Sequence, residues 1–367
     1  MKRFINIPII RMLPVLVILL SIININTIAS NSENNQGFNV KEVIMHHIKD
    51  EHSWHILDYK TSDGTEKPLY FHLPIILIND GKIDVFMSSE FKKNKGKVVR
   101  GDITYINYHE KIYIADKNGE LIKEYDENKE YKIMNDTPLN LSITKNVFGM
   151  LVASILVFWI FLLAAKGYEK RGIGAPKGIQ SLLEPIILFV KEDIAEASIG
   201  KDKAGKYLPY LLTVFFFILI NNLVGLVPFF PGGANVTGNI AVTMTLAIFS
   251  MIFINVLGSK SHWKHIFLPP VPKWLFPIMI PVELIGLFTK PFALMIRLFA
   301  NITAGHIIIL SLVSLIFIFE SLSIAPVSVF FVLFMYVLKL IVAFLQAYIF
   351  TMLSALFMGI AAKNDDH

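Results

Sequence analysis

Two apolar runs near the C-terminus, residues 281–319 and 325–362, restrict the fold of this chain more than any other feature. Residues 298–319 hold no formal charge, and Lys339 is the only charge in the second run. As helices rising ~1.5 Å per residue, both exceed ~50 Å, whereas an upright crossing of a bilayer core needs about 30 Å. In lipid the backbone must satisfy its own hydrogen bonds, so runs of this kind become helices. They must tilt or extend beyond the bilayer.

The averages conceal two unlike parts. The 367 residues are 54% hydrophobic and 17% charged, with mean hydropathy +0.56, but the charges crowd residues 31–135. This is a polar domain joined to a polytopic membrane domain. The net charge of +5 fits a basic bias of cytoplasmic loops rather than nucleic-acid binding. The absence of cysteine excludes disulfides and cysteine metal sites. Lys2, Arg3 and Arg11, the short apolar stretch Leu13–Ile23 and Thr27-Ile28-Ala29 read as a secretory signal over 1–29, with an uncleaved anchor as the alternative. Either places residues 30–140 outside the cytoplasm, ahead of a membrane domain at 141–367.

In the polar part, MHHIKDEHSWHI brings His46, His47, His52 and His55 close together. On a helix His47, Glu51 and His55 would share a face, but the pattern is not HExxH and no closed metal ligand set emerges. Residues 68–133 alternate polar and apolar between DG and NG turns, which predicts a small β-rich domain without a catalytic constellation. No cofactor or metal is expected.

In the membrane part, Val147–Ala165 is a first span, and the basic KGYEKRG after it marks a cytoplasmic side. GIQSLLEPIILFVKEDIAEASIG is amphipathic and is expected along the cytoplasmic surface. GKDKAGK reads as a second basic loop, Tyr207–Phe230 as a span outward, PGGANVTGN as a turn and Ile240–Leu257 as a span inward to KSHWKH. Pro269, Pro270 and Pro272 break the chain before the two long helices. The expected fold is mainly α: a polytopic membrane protein with five membrane-crossing segments, two of them long and tilted. A surface amphipathic helix and a small β-rich extracytoplasmic N-terminal domain complete it, and KNDDH lies inside.

Arg297 breaks the first long run. A charge at mid-bilayer costs on the order of 2.5–3.5 kcal/mol on insertion scales, which makes this residue a functional suspect. Asn301 lies one turn on and shares its face, with Ala293, Ala300, Ala304 and Gly305 as small neighbours that allow close helix approach. Glu283, Lys290 and Arg297 recur every seven residues as one stripe, drifting ~20° per heptad. His306, nine residues past Arg297, falls on the opposite side ~13.5 Å further out and is expected to line a separate aqueous pocket. On the last helix Lys339 and Gln346 share a face. If Gln346 is level with Arg297, then Lys339 and His306 share an outer depth. An arginine cannot release its proton, so it serves as a fixed counter-charge and not as a relay. Glu283 lies ~21 Å inward of it and Glu320 at the outer end, so the mobile acid must come from another chain.

PVELIGLFTKPFALMIRLFANITAGH followed by LKLIVAFLQAYIFTMLSALFMG resembles subunit a of the F-type ATP synthases, over about residues 140–362 and including NVTGNIAVT. The resemblance implies a non-catalytic stator subunit of the bacterial inner membrane, whose tilted helix hairpin embraces a ring of c subunits. Peripheral-stalk b subunits and the rest of the synthase are further implied partners. The family's arginine falls on Arg297, its asparagine on Asn301 and its glutamine on Gln346. Its outer histidine falls on His306, where the family's glutamate partner corresponds to Lys339, a departure. Glu283 resembles a carboxylate toward the cytoplasmic exit. Residues 31–135 exceed the family pattern.

Proton against sodium is decided by the ring carboxylate, outside this chain. A self-contained secondary transporter would carry internal repeats, and none is visible. A metal-binding domain on a membrane anchor would not need five spans and a buried arginine.

Overall fold

The computed structural model describes residues 44, 49–60, 66–125, 131–171, 176–227, 230–256, 260–267, 272–319 and 324–362. The signal segment, His46, His47, Pro269, Pro270, Glu320 and the KNDDH tail lie outside the described residues. From Lys49 onward the chain divides into two compact units between Phe148 and Gly149.

The first unit is β-rich. Strands β1 (Ser53–Lys60) and β2 (Glu66–His72) pair antiparallel. β3 (Pro74–Asn79) runs between β4 (Lys82–Met87) and β10 (Leu139–Asn140). β5 (Lys97–Arg100), β6 (Ile103–Tyr108) and β7 (Lys111–Ile114) form a meander, and β8 (Lys123–Tyr125) pairs with β9 (Tyr131–Ile133). The DG turn predicted from sequence closes β3 on β4, with Asp80 and Gly81 both at positive φ as a two-residue hairpin demands. Alternation along β3 sends Ile75 and Leu77 into a core with Phe86, Phe91, Val98, Tyr105 and Ile112. Phe91 comes from the short helix α1 (Ser89–Lys93). Tyr105 donates its hydroxyl proton to Asp84 at 2.7 Å. Burial and that bond raise the Tyr105 pKa above the usual phenol range.

His55 lies on strand β1, so the helical face shared by His47, Glu51 and His55 does not form. His52 instead is buried beside the β6–β7 hairpin, where its backbone N–H donates to Glu110 Oε2 at 3.2 Å. Its ring Nδ1 is also 3.2 Å from that oxygen.

The same stretch clasps the start of the first long helix, α2 (Lys145–Arg171). Asp50 accepts from Thr144 Oγ1 at 2.8 Å and from the Asn146 N–H at 2.9 Å, and the Glu51 carbonyl accepts from the Lys145 N–H at 2.9 Å. These bonds satisfy donors that a helix start leaves open. Burial lifts the Glu51 carboxyl from 4.5 to about 7, against the attraction of Lys145. A raised acid contributes stability below pH 4.5 and loses it as pH climbs through about 7. Glu51→Gln should therefore stabilise this unit at pH 8, by up to ~3 kcal/mol at ~1.4 kcal/mol per pKa unit. At pH 4.5 it should change little. The midpoint of thermal proteolysis within residues 49–145 of the full chain measures this, and equal effects at both pH values would refute it.

The second unit is helical. α2 is followed by α3 (Ile179–Phe189), a π-helical stretch Val190–Glu196 and a closing turn Ala197–Ile199. This segment is amphipathic as read from sequence. Val190, Ile194 and Ala195 are fully buried against the helices below, while Lys191, Glu192 and Asp193 stay exposed. Gly200, at φ 96°, ends it. α4 (Lys201–Leu226) then starts within GKDKAGK, so that stretch is helix and not loop. α5 (Ile240–Val256) follows, and KSHWKH opens a further short helix, α6 (Lys260–Phe267). The long helices are α7 (Phe276–Ile318, 43 residues) and α8 (Ala325–Ala362, 38 residues). α7 begins at Phe276, five residues before Pro281; Pro277 in its first turn removes only a donor that would be unpaired anyway, whereas Pro281 and Pro291 lie inside the helix.

Four of these helices are long and apolar enough to cross a membrane, and α5 is a shorter apolar one. The chain is a multi-pass membrane protein. α8 packs along α4, and α7 packs on α5 and α8. Tyr210 stacks on Phe253 at 4.0 Å between centroids, and its hydroxyl is 2.7 Å from Ser250 Oγ, which pins α4 to α5. Lys203 Nζ donates to the Ala362 carbonyl at 2.8 Å and so caps the end of α8 from the start of α4.

Candidate functional site

The site is built on α7. Leu294, Met295 and Leu298 face inward and are buried. The other side presents Ala293, Arg297, Ala300, Asn301 and Ala304, all exposed. The alternation follows from the 3.6-residue period: Leu294 and Leu298 are four apart on the packed side, as Arg297 and Asn301 are on the open one. The guanidinium thus stands on an uncovered strip whose other members are nearly all alanine. Such a strip admits another helix at short range.

Two clefts flank Arg297 along α7, and Arg297 lines neither. The first lies toward the C-terminal end of the helix and spans about 370 Å³, open solvent included. Its polar lining is Asn301 and His306 of α7, Lys339 of α8, Asn221 and Asn222 of α4, and Asn235 of the turn before α5. Thr237 of that turn also lines it and donates from Oγ1 to Asn222 Oδ1 at 2.7 Å. The second cleft lies toward the N-terminal end, spans about 430 Å³, open solvent included, and has Ser250, Asn255 and Lys290 as its polar members.

His306 and Lys339 are brought together in one cleft, as their depths predict. Gly305 is the reason they can be. A Cβ on Gly305 would lie 2.6 Å from Lys339 Cε, so the lysine stem crosses α7 where that helix has no side chain. Asn301 belongs both to the exposed strip and to the margin of this cleft. Gln346 is 3% exposed and packed inside. Glu283 is half-buried and lines neither cleft. Lys290 holds its ammonium 5.2 Å from the ring centroid of Phe357 on α8.

Sequence reasoning passed over Asn221, Asn222 and Asn235. The signal was present as two consecutive amides in the apolar stretch ILINNLVGL. The buried atoms Asn221 Oδ1, Asn222 Nδ2 and both amide atoms of Asn235 have no protein partner. Unpaired buried amides cost about 1–3 kcal/mol each, so their convergence on one cleft marks a hydrated or ligand-filled space. Among the described residues no group of three or more His, Asp or Glu is arranged to hold a metal.

The helical membrane unit thus carries an exposed arginine on one of its long apolar helices, between two clefts with polar lining residues. A family described as ATP synthase A chain matches residues 147–359. The chain belongs to this family. It is 48% identical over 233 residues to ATP synthase subunit a of Chloroherpeton thalassium, covering 62% of this chain and 69% of that protein. ATP synthase subunit a of Myxococcus xanthus is 44% identical over 245 residues, 63% of this chain and 78% of the relative. Residues 43–141 match a separate domain family of unknown function, DUF8433.

Proposed function

We propose that this chain is the non-catalytic, ion-conducting stator subunit of a rotary ATP synthase, and that it works against a ring of c subunits held beside peripheral-stalk b subunits. One observation carries the reading: Arg297 stands exposed on an alanine strip between two polar clefts that do not meet at it. The first cleft, with His306, Lys339 and Asn301, is the outer half-channel. The second, with Lys290 and leading toward Glu283, is the cytoplasmic one. A proton enters from outside, loads a ring carboxylate, travels with the ring and leaves to the cytoplasm. Arg297 attracts the ionised carboxylate as it passes between the clefts and bars direct leakage, because the guanidinium keeps its charge. Gln346, buried on α8, supports the helix crossing behind it.

The alanine strip should face the ring. Cysteines replacing Ala300 and Ala304 should form disulfides with a cysteine placed next to the ring carboxylate in assembled complex. Cysteine at Leu294, on the packed side, should not. A reversed pattern would remove the ring from this face.

The same reading puts residues 30–140 outside and the C-terminus inside. Cysteine at Ser32 should be labelled by an impermeant thiol reagent in intact cells, and cysteine at Lys363 only after the membrane is opened. The opposite labelling would invert the topology.

A further inference from the structure

The sheet formed by β10, β3 and β4 is apolar on both faces. Its inner face sends Ile75, Leu77 and Phe86 into the core of the β-rich unit. Its outer face follows from the register. Leu139, Ile78 and Ile83 stand opposite one another across the three strands. Ile76 pairs with Val85, and Pro74 with Met87. The Leu141 and Ile143 N–H groups donate to the Ile76 and Pro74 carbonyls at 2.9 and 3.1 Å, so the pairing of β10 continues past its last residue. Residues directly opposite share a face of the sheet. Three rows result: Leu139, Ile78 and Ile83; Leu141, Ile76 and Val85; Ile143, Pro74 and Met87. No polar side chain interrupts them.

An antiparallel sheet with one solvated face alternates apolar-in and polar-out. β4 reverses this. Asp84 is the residue turned inward, where it accepts the Tyr105 hydroxyl proton, while Ile83, Val85 and Met87 point out. Ile83 is 65%, Val85 61% and Leu139 60% exposed, so among the described residues nothing covers this face. A contiguous exposed apolar surface marks a contact with a partner or a membrane.

The bilayer is the apolar phase nearest along the chain. Leu139, Leu141 and Ile143 lead row by row to α2, which starts two residues later at Lys145. At ~3.3 Å per residue the last row lies within about 7 Å of the helix start. No linker holds the sheet off the membrane. The β-rich unit includes α2 as far as Phe148, and Asp50 and Glu51 bind its first turn. The helix is apolar and long enough to cross the bilayer from that turn onward.

We propose that the outer face of the β10–β3–β4 sheet is a membrane-contact surface, resting on the lipid where α2 enters the bilayer. Its nine apolar side chains sit at the boundary between headgroups and acyl chains, as those of surface-lying amphipathic elements do. The proposal requires that α2 crosses the membrane and is independent of the stator reading.

The test uses the full chain, which has no cysteine of its own, in phospholipid vesicles. Single cysteines replacing Val85 and Leu139 carry an environment-sensitive fluorophore; both positions are exposed, so the core is left intact. Each label should be quenched several-fold more strongly by doxyl-labelled phospholipid than by iodide present on both sides of the membrane. A label at Lys117, exposed in the turn after β7, should show the opposite order, and one at Phe158, 66% exposed on α2, should follow the lipid. If the Val85 and Leu139 labels behave like the one at Lys117, the face meets water and the proposal is overturned. It is overturned equally if neither quencher reaches them, which is the mark of a face covered by a second copy of the chain. In native membranes, a photo-crosslinking residue at Val85 should give an adduct of phospholipid mass. A product enlarged by another polypeptide would assign the face to a protein partner and end the lipid contact.

Discussion

Arg297→Ala is expected to abolish ATP-driven ion pumping and ATP synthesis in membrane vesicles while the complex still assembles. Assembly survives because the guanidinium is exposed on α7 and supports none of the core that Leu294 and Leu298 build on the other side. Function is lost because nothing else on the alanine strip carries a charge. Lys290 lies two turns away and faces the ring of Phe357. In the proposed mechanism, a passing ring carboxylate without a fixed cation has no reason to ionise between the clefts, and a leak path opens. Arg297→Lys should fail as well. An ammonium lacks the planar fork that grips a carboxylate and sheds its proton when desolvated. Proton uptake by inverted vesicles on addition of ATP, followed with a pH-sensitive dye, measures both. Near-normal uptake in Arg297→Ala, with subunit levels unchanged, would sink the separator role.

The second large effect lies far from the polar residues. Gly359→Leu should prevent stable incorporation of the subunit into the membrane complex. A Cβ at Gly359 would fall inside the Ser198 carbonyl and within 3.4 Å of Ile199 Cα, both of them backbone. A flexible side chain could swing away, but the turn Ala197–Ile199 cannot, because Gly200 and α4 fix it from one end and the stretch anchored by buried Val190, Ile194 and Ala195 from the other. Overpacking a core costs about 1–3 kcal/mol even where side chains can yield, and here the larger residue must separate two backbones. Gly286→Ala is the control: a Cβ there meets nothing, and alanine gains roughly 0.5–1 kcal/mol in a helix interior. Subunit levels in purified complex should collapse for Gly359→Leu and hold for Gly286→Ala. Wild-type levels for both would show that the contact between α8 and the turn is dispensable.

Much of this protein was legible in its sequence, because the relevant physics is local. Apolar run length alone gave the crossing segments, since a bilayer of fixed thickness reads a helix by its length. Alternation between DG and NG turns gave the β-rich unit, since side chains on a strand face opposite ways. The cost of a charge in hydrocarbon singled out Arg297 before any fold was drawn. Helical period placed Asn301 beside it and put His306 elsewhere. What the sequence misjudged was also local: helical spacing was applied to His47, Glu51 and His55, but neighbouring strands claim His55, and pairing with β2 outweighs the histidine spacing. Likewise the basic GKDKAGK looked like a loop, yet Lys203 caps the end of α8 from inside a helix, 159 residues away in the chain.

Only the tertiary structure decided which distant residues meet. Asn222, Asn235, His306 and Lys339 come from four segments and converge on one cleft. No periodicity relates them, because their proximity depends on how α4, α7 and α8 pack. Gly305 and Gly359 were visible as glycines, but that one receives a lysine stem and the other a backbone carbonyl depends on the opposite helix. Gln346 shows the same division. Its spacing from Lys339 was fixed by the helix, while its burial was decided by the helices packed on α8.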